Sequence, residues 1–344
     1  MSSAVKRIFF LSFEDALWEL LNEKNIPKKS VILIPDFYCM DVIQNIKAHG
    51  YRTVLYPLDD NFQISKSDIT EYIHKYKPSV VIIFHACGIK SELCNDTKFL
   101  QRICNTSLLI EDSVHRFVNP ERIKIIHRNH FIIDSLRKVS PLPGSFIYGT
   151  HLGLTVKPYT SLSEISYSTW SAALFCCFKI VYTTGVLLNL PKLISYAHKN
   201  VLLTHDNLIG DNTHGYRGSS IAKFLHWFIH FSKVEHMKIR QIRYYTKALR
   251  PFFKKYPDWI KVRFPKKGWK YAHVYPLECT YTGAVKLKHI TAYLESQGMP
   301  VWFKYPDCPW SRTRSVLFLP IGFHVSYNEI DRLVETLNTV ADTI

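Results

Sequence analysis

Three short stretches carry side chains that could act together. Ile110-Glu111-Asp112-Ser113-Val114-His115 brings an acid to the end of an apolar run. Ser135-Leu136-Arg137-Lys138 sets a serine three residues before a lysine, and His85-Ala86-Cys87-Gly88 follows an earlier apolar run. A lysine that sheds its proton is a nucleophile toward a carbonyl carbon. A carboxylate favours a positive charge on whatever group lies against it. Each residue also has an ordinary reading: a loop lysine is commonly just solvated, and an aspartate after a strand commonly caps the next helix. Between Asp112 and Lys138 there is chain enough for one helix or loop and a return strand.

The elements that must position these residues alternate. Residues 15–22 have apolar positions at helical spacing, in Ala16, Leu17, Leu20 and Leu21. Val31-Ile32-Leu33-Ile34, closed by Pro35, predicts a buried strand. Helices are expected over 41–49, ended by Gly50, and over 69–76, ended before Pro78. Strands are expected at 53–56, 80–84, 108–110, 130–133 and 145–148. This alternation predicts an α/β fold with a mainly parallel central sheet and helices on both faces. Ligands of such sheets sit at the carboxyl ends of the strands, where Asp112 and His85 fall.

Beyond residue 150 the pattern changes. Residues 168–190 are largely apolar and nearly long enough to span a bilayer, but Lys179 at the centre and Pro191 at the end argue against a span. A helix that is partly buried, at a subunit interface or on a membrane surface is expected instead. The polar stretch 200–218 reads as a loop. Residues 219–250 read as a long helix or helix pair with Ile221, Phe224, Leu225 and Phe228 on one stripe. A small α+β unit follows: strand 273–277, helix 286–296, strands 301–302 and 316–319, and helix 329–340 capped by Ser326 with Glu329 three residues on. The expected division is a large α/β domain over 1–250, holding an apolar helical insertion at 168–198, and a small C-terminal domain over 251–344.

Composition narrows the function. The 344 residues are 47% hydrophobic, enough for a large core, and carry a formal net charge of +16. Such a surface suits anionic partners, among them phosphorylated small molecules and acidic lipid headgroups. The basic residues form only short clusters, at Lys28-Lys29, Lys254-Lys255 and Lys266-Lys267, with no single stripe and no nucleic-acid motif, so no specific nucleic acid is expected. The eight cysteines include no CxxC pair, and no metal site is expected. His226 and His230, at i and i+4, have no acidic ligand nearby and read as structural. No signal-peptide pattern follows Lys6-Arg7, so reduced thiols in a cytoplasm are expected.

Taken in order, these parts resemble the fold-type-I pyridoxal-phosphate enzymes, in particular the DegT/DnrJ/EryC1/StrS sugar aminotransferases. Ser12 to Leu17 resembles the family's first helix, and Ile34-Pro35 through Gly50 its second strand and helix. Val81 to Gly88 is similar to its strand-His-x-x-Gly, Glu111 to His115 to its acid-Asp-x-x-His, and Asp134 to Lys138 to its lysine loop. Leu319-Pro320 with Ser326-Tyr327-Asn328-Glu329-Ile330 resembles its ending. The resemblance implies that Lys138 is the Schiff-base lysine and general base, and that Asp112 pairs with the pyridinium nitrogen. It implies His115 and His85 near the cofactor, and Ser135, Arg137 and Ser12 toward its phosphate. Tyr38, or Cys39 beside it, falls where an aromatic ring stacks on the cofactor. Further implications are an amino-acid donor, a keto acceptor such as a nucleotide- or lipid-linked sugar, and a homodimer; separately, the apolar run 168–190 suits peripheral contact with a membrane where polysaccharide biosynthesis assembles its precursors.

The chain departs from the family at Phe13 and Glu14, which stand where a Gly-Thr pair binds phosphate at a helix N-terminus. A phenylalanine blocks close backbone approach, and a glutamate repels a dianion. Two outcomes are open: an aminotransferase that grips its cofactor by other residues, or a catalytically inactive scaffold or regulatory partner on the same fold.

Overall fold

A computed structural model describes residues 4–116, 118–138, 142–153, 162–188, 190–209, 218, 220–257, 260–262, 272–279, 290, 292–294, 308–312, 315–322 and 325–343. The first half alternates β1 (Lys6–Phe10), α1 (Phe13–Glu23), β2 (Val31–Pro35), α2 (Met40–Ala48), β3 (Arg52–Tyr56), α3 (Lys66–Tyr76), β4 (Val80–Phe84), α4 (Thr97–Thr106) and β5 (Leu108–Ser113). It closes with β6 (His130–Asp134) and β7 (Ser145–Gly149). These seven strands form one sheet in the order β1-β7-β6-β5-β4-β2-β3. The strands from β6 to β3 run parallel, while β7 is antiparallel to both β6 and β1. The fold is therefore α/β with a mainly parallel sheet, as the alternation predicts.

Local chemistry sets the elements. Ser12, Ser65 and Asp96 cap α1, α3 and α4 by accepting from the backbone N–H three residues on. β4 and β5 are buried along their whole length, because helices cover both faces of a parallel sheet. The loop from β6 to β7 is pinned where Leu136 N–H donates to Gly144 O at 2.8 Å. Gly144 has φ +113°, and a Cβ there would lie 2.2 Å from Phe9 Cζ, so no larger residue fits.

The second half begins with a helical hairpin, α5 (Leu162–Leu187) packed along α6 (Pro191–Ile209). Residues 200–209, expected as loop, are therefore helical, and 210–217 lie outside the described residues. The polar residues that suggested a loop are absorbed by the helix: Thr204 Oγ1 donates to Asn200 O at 2.7 Å, while Ile194, Ala197 and Val201 make the buried stripe. The expected helix pair is α7 (Ser220–His226) and α8 (Phe231–Ala248). Three residues of its expected apolar stripe face outward instead: Phe224, Leu225 and Phe228 are 61%, 39% and 64% exposed, and Ala222 and His226 turn inward.

After α9 (Arg250–Lys255), strands β8 (Ile260–Val262), β9 (Val274–Cys279) and β10 (Ser315–Pro320) make a small antiparallel sheet, followed by α10 (Tyr327–Thr343). Ser326 caps this last helix by accepting from Glu329 N at 3.1 Å. Of the expected helix 286–296, residues 290 and 292–294 are helical; the rest, with 301–302 and Lys266-Lys267, lies outside the described residues. Ile242, Tyr245 and Leu249 share a second core with Leu277, Leu319 and Leu333. Val274, Trp310 and Phe318 instead join the core of the large sheet, with Trp310 edge-on to Phe37 at 5.1 Å.

Candidate active site

Side chains alternate along β5, so Glu111 and Asp112 point to opposite faces of the sheet. Asp112 lies at the carboxyl end, beside Phe84 of β4. Its Oδ2 accepts from the Tyr38 hydroxyl at 2.5 Å, and its Oδ1 from Val114 N–H at 3.0 Å. Tyr38 follows β2 and sits edge-on to Phe84. Burial pushes the Asp112 carboxyl up to about 7; the Tyr38 and Val114 hydrogen bonds and Lys138 oppose the rise, and the charge of Glu14 adds to it.

Lys138 ends a single 3-10 turn, Leu136–Lys138, directly after β6. Burial, helped by the neighbouring Arg137 cation, lowers its ammonium to about 8. Asp112 and Lys138 line one cavity of about 40 Å³ with Tyr38, Ser135, Arg137, Phe13, Glu14, Cys39 and Phe84. The structure thus brings together five residues singled out from the sequence: Lys138, Asp112, Tyr38, Ser135 and Arg137.

Three others stand off the wall of this cavity. Ser12 is committed to its helix cap, donating to Asp15 Oδ2 at 2.7 Å while accepting from Asp15 N at 3.1 Å. The His115 ring lies 4.9 Å from that of Phe84 and 5.2 Å from that of His273. Cys87 N–H donates to its Nδ1 at 3.2 Å, which places the ring proton on Nε2. Burial, with the nearby charges of Lys138, Arg137 and Lys238, holds its pKa well below the ordinary value, so the ring is neutral.

His85 faces the other way, to Glu111. His85 Nε2 and His130 Nε2 each lie 3.0 Å from one Glu111 oxygen. Each Nδ1 accepts a backbone N–H, from Ser91 at 3.2 Å and Ile126 at 3.3 Å, so both imidazoles carry the proton on Nε2 and donate it to the carboxylate. Burial alone would raise the Glu111 pKa; the two donors outweigh it and hold the group well below the carboxylate range. His85, Cys94 and Glu111 are close enough to suggest a metal site. Protonated Nε2 atoms, however, offer a cation no lone pair. The larger cavity beneath them, about 280 Å³, has Glu111 in its wall and contains neither Asp112 nor Lys138. The small cleft, not the large one, holds the reactive pair.

The residue types of the cleft fit pyridoxal phosphate: an amine of lowered basicity and a carboxylate line one cavity, with a serine and an arginine in the same wall. The space is tight, since pockets for small molecules commonly reach roughly 300–1,000 Å³. A pyridine ring enters only if Tyr38, Phe13 or the Lys138 side chain swings aside.

Sequence reasoning had marked Glu14 as a departure, and the structure places it in the cleft wall, with Oε2 buried and without a hydrogen-bond partner among the described residues. It missed Lys179 of α5, which is 3% exposed and feels the charges of Arg137 and Lys138. Helical spacing was the available signal, because Ala172, Phe175 and Lys179 share one face.

No family model and no curated protein matches the chain. Solved structures do match, across nearly its whole length. Helicobacter pylori PseC, an aminotransferase involved in the biosynthesis of pseudoaminic acid, matches with a TM-score of 0.63 and 12% identity, over 98% of this chain and 87% of that one. A DegT DnrJ EryC1 StrS aminotransferase from Brucella abortus matches at 0.59 and 15% identity, over 97% and 85%. The PLP form of the putative sugar aminotransferase Spr1654 from Streptococcus pneumoniae matches at 0.60 and 13% identity, over 98% and 87%. At these identities the likeness shows the fold, which is that of the fold-type-I sugar aminotransferases.

Proposed function

We propose that the Asp112–Lys138 cleft binds pyridoxal phosphate and that the protein transfers an amino group from an amino acid to a keto compound, with a nucleotide- or lipid-linked sugar as the acceptor class. The observation that carries this is the meeting of Lys138 and Asp112 in one cleft at the carboxyl end of β5 and β6. The cofactor, when bound, supplies an electron sink. Asp112 holds the proton on the ring nitrogen. Lys138 Nζ, its deprotonation eased by burial, anchors the cofactor and carries the proton to and from the substrate carbon. Neutral His115 packs against Phe84, whose backbone pairs with Asp112. The purified protein is expected to gain a visible absorbance band with added pyridoxal phosphate, and borohydride to fix the adduct on Lys138. No band, and no adduct on that peptide, would sink the reading.

A second reading is favoured by Phe13 and Glu14 in the cleft wall and by the Tyr38 hydroxyl occupying Asp112. It makes the protein a scaffold or regulatory partner that does not turn over. Lys138→Ala then leaves the biological role intact; a phenotype as severe as deletion removes this reading.

Association is part of the proposal. Trp170, Ile180, Leu188, Phe224, Trp227 and Phe228, all on or beside α5 and α7, are exposed. An apolar surface of this extent supports a homodimer, with Lys192, Lys199 and Lys223 nearby allowing peripheral contact with anionic lipid. No helix among the described residues is long and apolar enough to cross a membrane. Concentration-dependent mass and vesicle sedimentation separate the two modes.

A further inference from the structure

We infer that the cavity on the face of β5 opposite Asp112 binds an amino acid with an acidic side chain, its ammonium group meeting Glu235 and its two carboxylates the basic part of the wall. The site stands on that cavity alone and does not rest on the proposed function, since neither Asp112 nor Lys138 lines it.

Period two along the strands turns Glu111 and Ser113 of β5, with His130 and Ile132 of β6, to this side of the sheet. The connection between the two strands supplies more of the wall. Asn119 Oδ1 accepts from Glu121 N–H at 3.0 Å and sets the single turn Pro120–Arg122, after which Lys124 joins Arg122 in lining the cavity. Helix α8 supplies the rest. Its inward residues, Glu235, Lys238, Gln241, Ile242 and Tyr245, follow helical spacing, and Glu235 is the one that reaches the cavity. At about 280 Å³ the space is close to that of ordinary small-molecule sites, roughly 300–1,000 Å³.

Among the described residues the wall carries four cations, Lys90, Arg116, Arg122 and Lys124, against two carboxylates, Glu111 and Glu235. The two carboxylates are not equivalent. Both Glu111 oxygens already have imidazole donors at 3.0 Å. Glu235 is 9% exposed, and its Oε1 is buried with no donor among the described residues. Its Oε2 lies 3.6 Å from Arg122 Nη1, beyond hydrogen-bond reach, and that arginine side chain is 62% exposed. A buried carboxylate oxygen without a donor is costly, and an ammonium would supply the donor. The surplus of cations calls for negative charge. A molecule with one ammonium and two carboxylates answers both demands. A dicarboxylate or a phosphate would answer only the second and would face Glu235 as a like charge.

The test uses the full chain, prepared without pyridoxal phosphate, and three probes in equilibrium dialysis: L-glutamate, glutarate, which lacks the ammonium, and L-alanine, which lacks the second carboxylate. L-Glutamate is expected to bind about tenfold or more tightly than either of the others. Glu235→Gln keeps the shape and removes the charge. It is expected to weaken L-glutamate by about tenfold or more and not to weaken glutarate. Lys124→Met, at an exposed position, is expected to weaken both, and it carries the test if thermal melting shows that Glu235→Gln does not fold. Lys138→Ala is expected to leave L-glutamate binding unchanged. The inference is overturned if the wild type does not bind L-glutamate, binds it no more tightly than glutarate, or binds it equally in Glu235→Gln or Lys124→Met. Binding lost in Lys138→Ala and kept in Glu235→Gln also overturns it, and puts the amino acid in the cleft. Binding that depends on Glu235, in a protein that forms no adduct at Lys138, upholds this cavity and overturns the aminotransferase reading alone.

Discussion

Glu111 and Asp112 are consecutive residues on one strand, equally hidden from water, and the fold treats them oppositely. Glu111 faces two imidazoles whose tautomers are fixed by backbone amides, and each gives it a hydrogen bond at 3.0 Å. Each carboxylate oxygen has a donor, and the group is held ionised. Asp112 faces one phenol and one amide, with the carboxylate of Glu14 nearby, and burial leaves it near 7. Burial alone does not distinguish a structural acid from a reactive one. The difference lies in the kind of neighbour: two imidazole donors for Glu111, against a phenol, an amide and the repelling charge of Glu14 for Asp112. Glu111 is satisfied within the chain; Asp112 is left poised for a further positive group on its open side.

The largest way to break this contrast is to remove each charge in turn. Asp112→Asn is expected to lower turnover with any amino donor by about 10²-fold or more, because a neutral amide does not hold the ring-nitrogen proton. Glu111→Gln is expected to leave the pH dependence of cofactor binding unchanged. Instead it costs about 2–3 kcal/mol of stability, since an amide can accept from only one of the two Nε2–H groups and turns an N–H toward the other. Stability should separate them by sign as well. The folded-state pKa of Glu111 lies below its unfolded value, so its contribution is present above the carboxylate range and is lost as pH falls. That of Asp112 lies above its unfolded value, so the folded state takes up its proton, and the contribution is lost as pH rises through about 7. At pH 8, urea titrations should therefore find Asp112→Asn at least as stable as the wild type and Glu111→Gln less stable. A loss of stability in both would mean that Asp112 is structural too.

Which of these residues can be read from sequence follows from what one dimension preserves. Asp112 and Lys138 were legible because one closes an apolar strand and the other follows one within four residues, and a parallel sheet collects strand ends at one edge. The sheet strands from β2 to β7 were legible for the same reason. β1 was not, since its Lys6 and Arg7 dilute a run of three apolar residues, and neither was α4, whose Phe99, Leu100, Ile103 and Cys104 sit among polar residues. The Glu111 clasp was hidden because His85 and His130 are adjacent only once β4, β5 and β6 are known to lie side by side. His85 looked like a cofactor neighbour from its place after a strand, whereas the ring turns to the sheet's other side. Tyr38 was legible as a candidate from its place after β2, but its hydrogen bond to Asp112 depends on a 2.5 Å approach that spacing does not encode. Lys179 was readable by helical period, and was overlooked because the segment was judged by hydropathy.

A pH titration sharpens the contrast at intermediate cost. Ionised Asp112 and deprotonated Lys138 both favour the cofactor, and they titrate near 7 and near 8. Adduct formation should rise from pH 6 to pH 9, while Glu111 stays ionised throughout and far-ultraviolet structure does not change. A flat profile over that range would place neither group at the cofactor.

The smallest expected effect is the most selective. Tyr38→Phe removes the donor that the phenol gives Asp112 Oδ2 and leaves both imidazole donors of Glu111 in place. A hydrogen bond to a charged group is worth about 1.5–3 kcal/mol, and one pKa unit is about 1.4 kcal/mol, so the Asp112 carboxyl should rise by about one unit or more. The lower limb of the adduct-formation profile should then move to higher pH by that amount, and the upper limb, set by Lys138, should stay. The phenol also occupies one of the two Asp112 oxygens. Its removal should therefore tighten cofactor binding at pH 9, where Asp112 is ionised in both proteins, and weaken it at pH 6. A crossover of this kind identifies Tyr38 as the cleft's own placeholder for the cofactor. A uniform loss at every pH would make it a packing residue, and the poised state of Asp112 would then have to be assigned to Glu14.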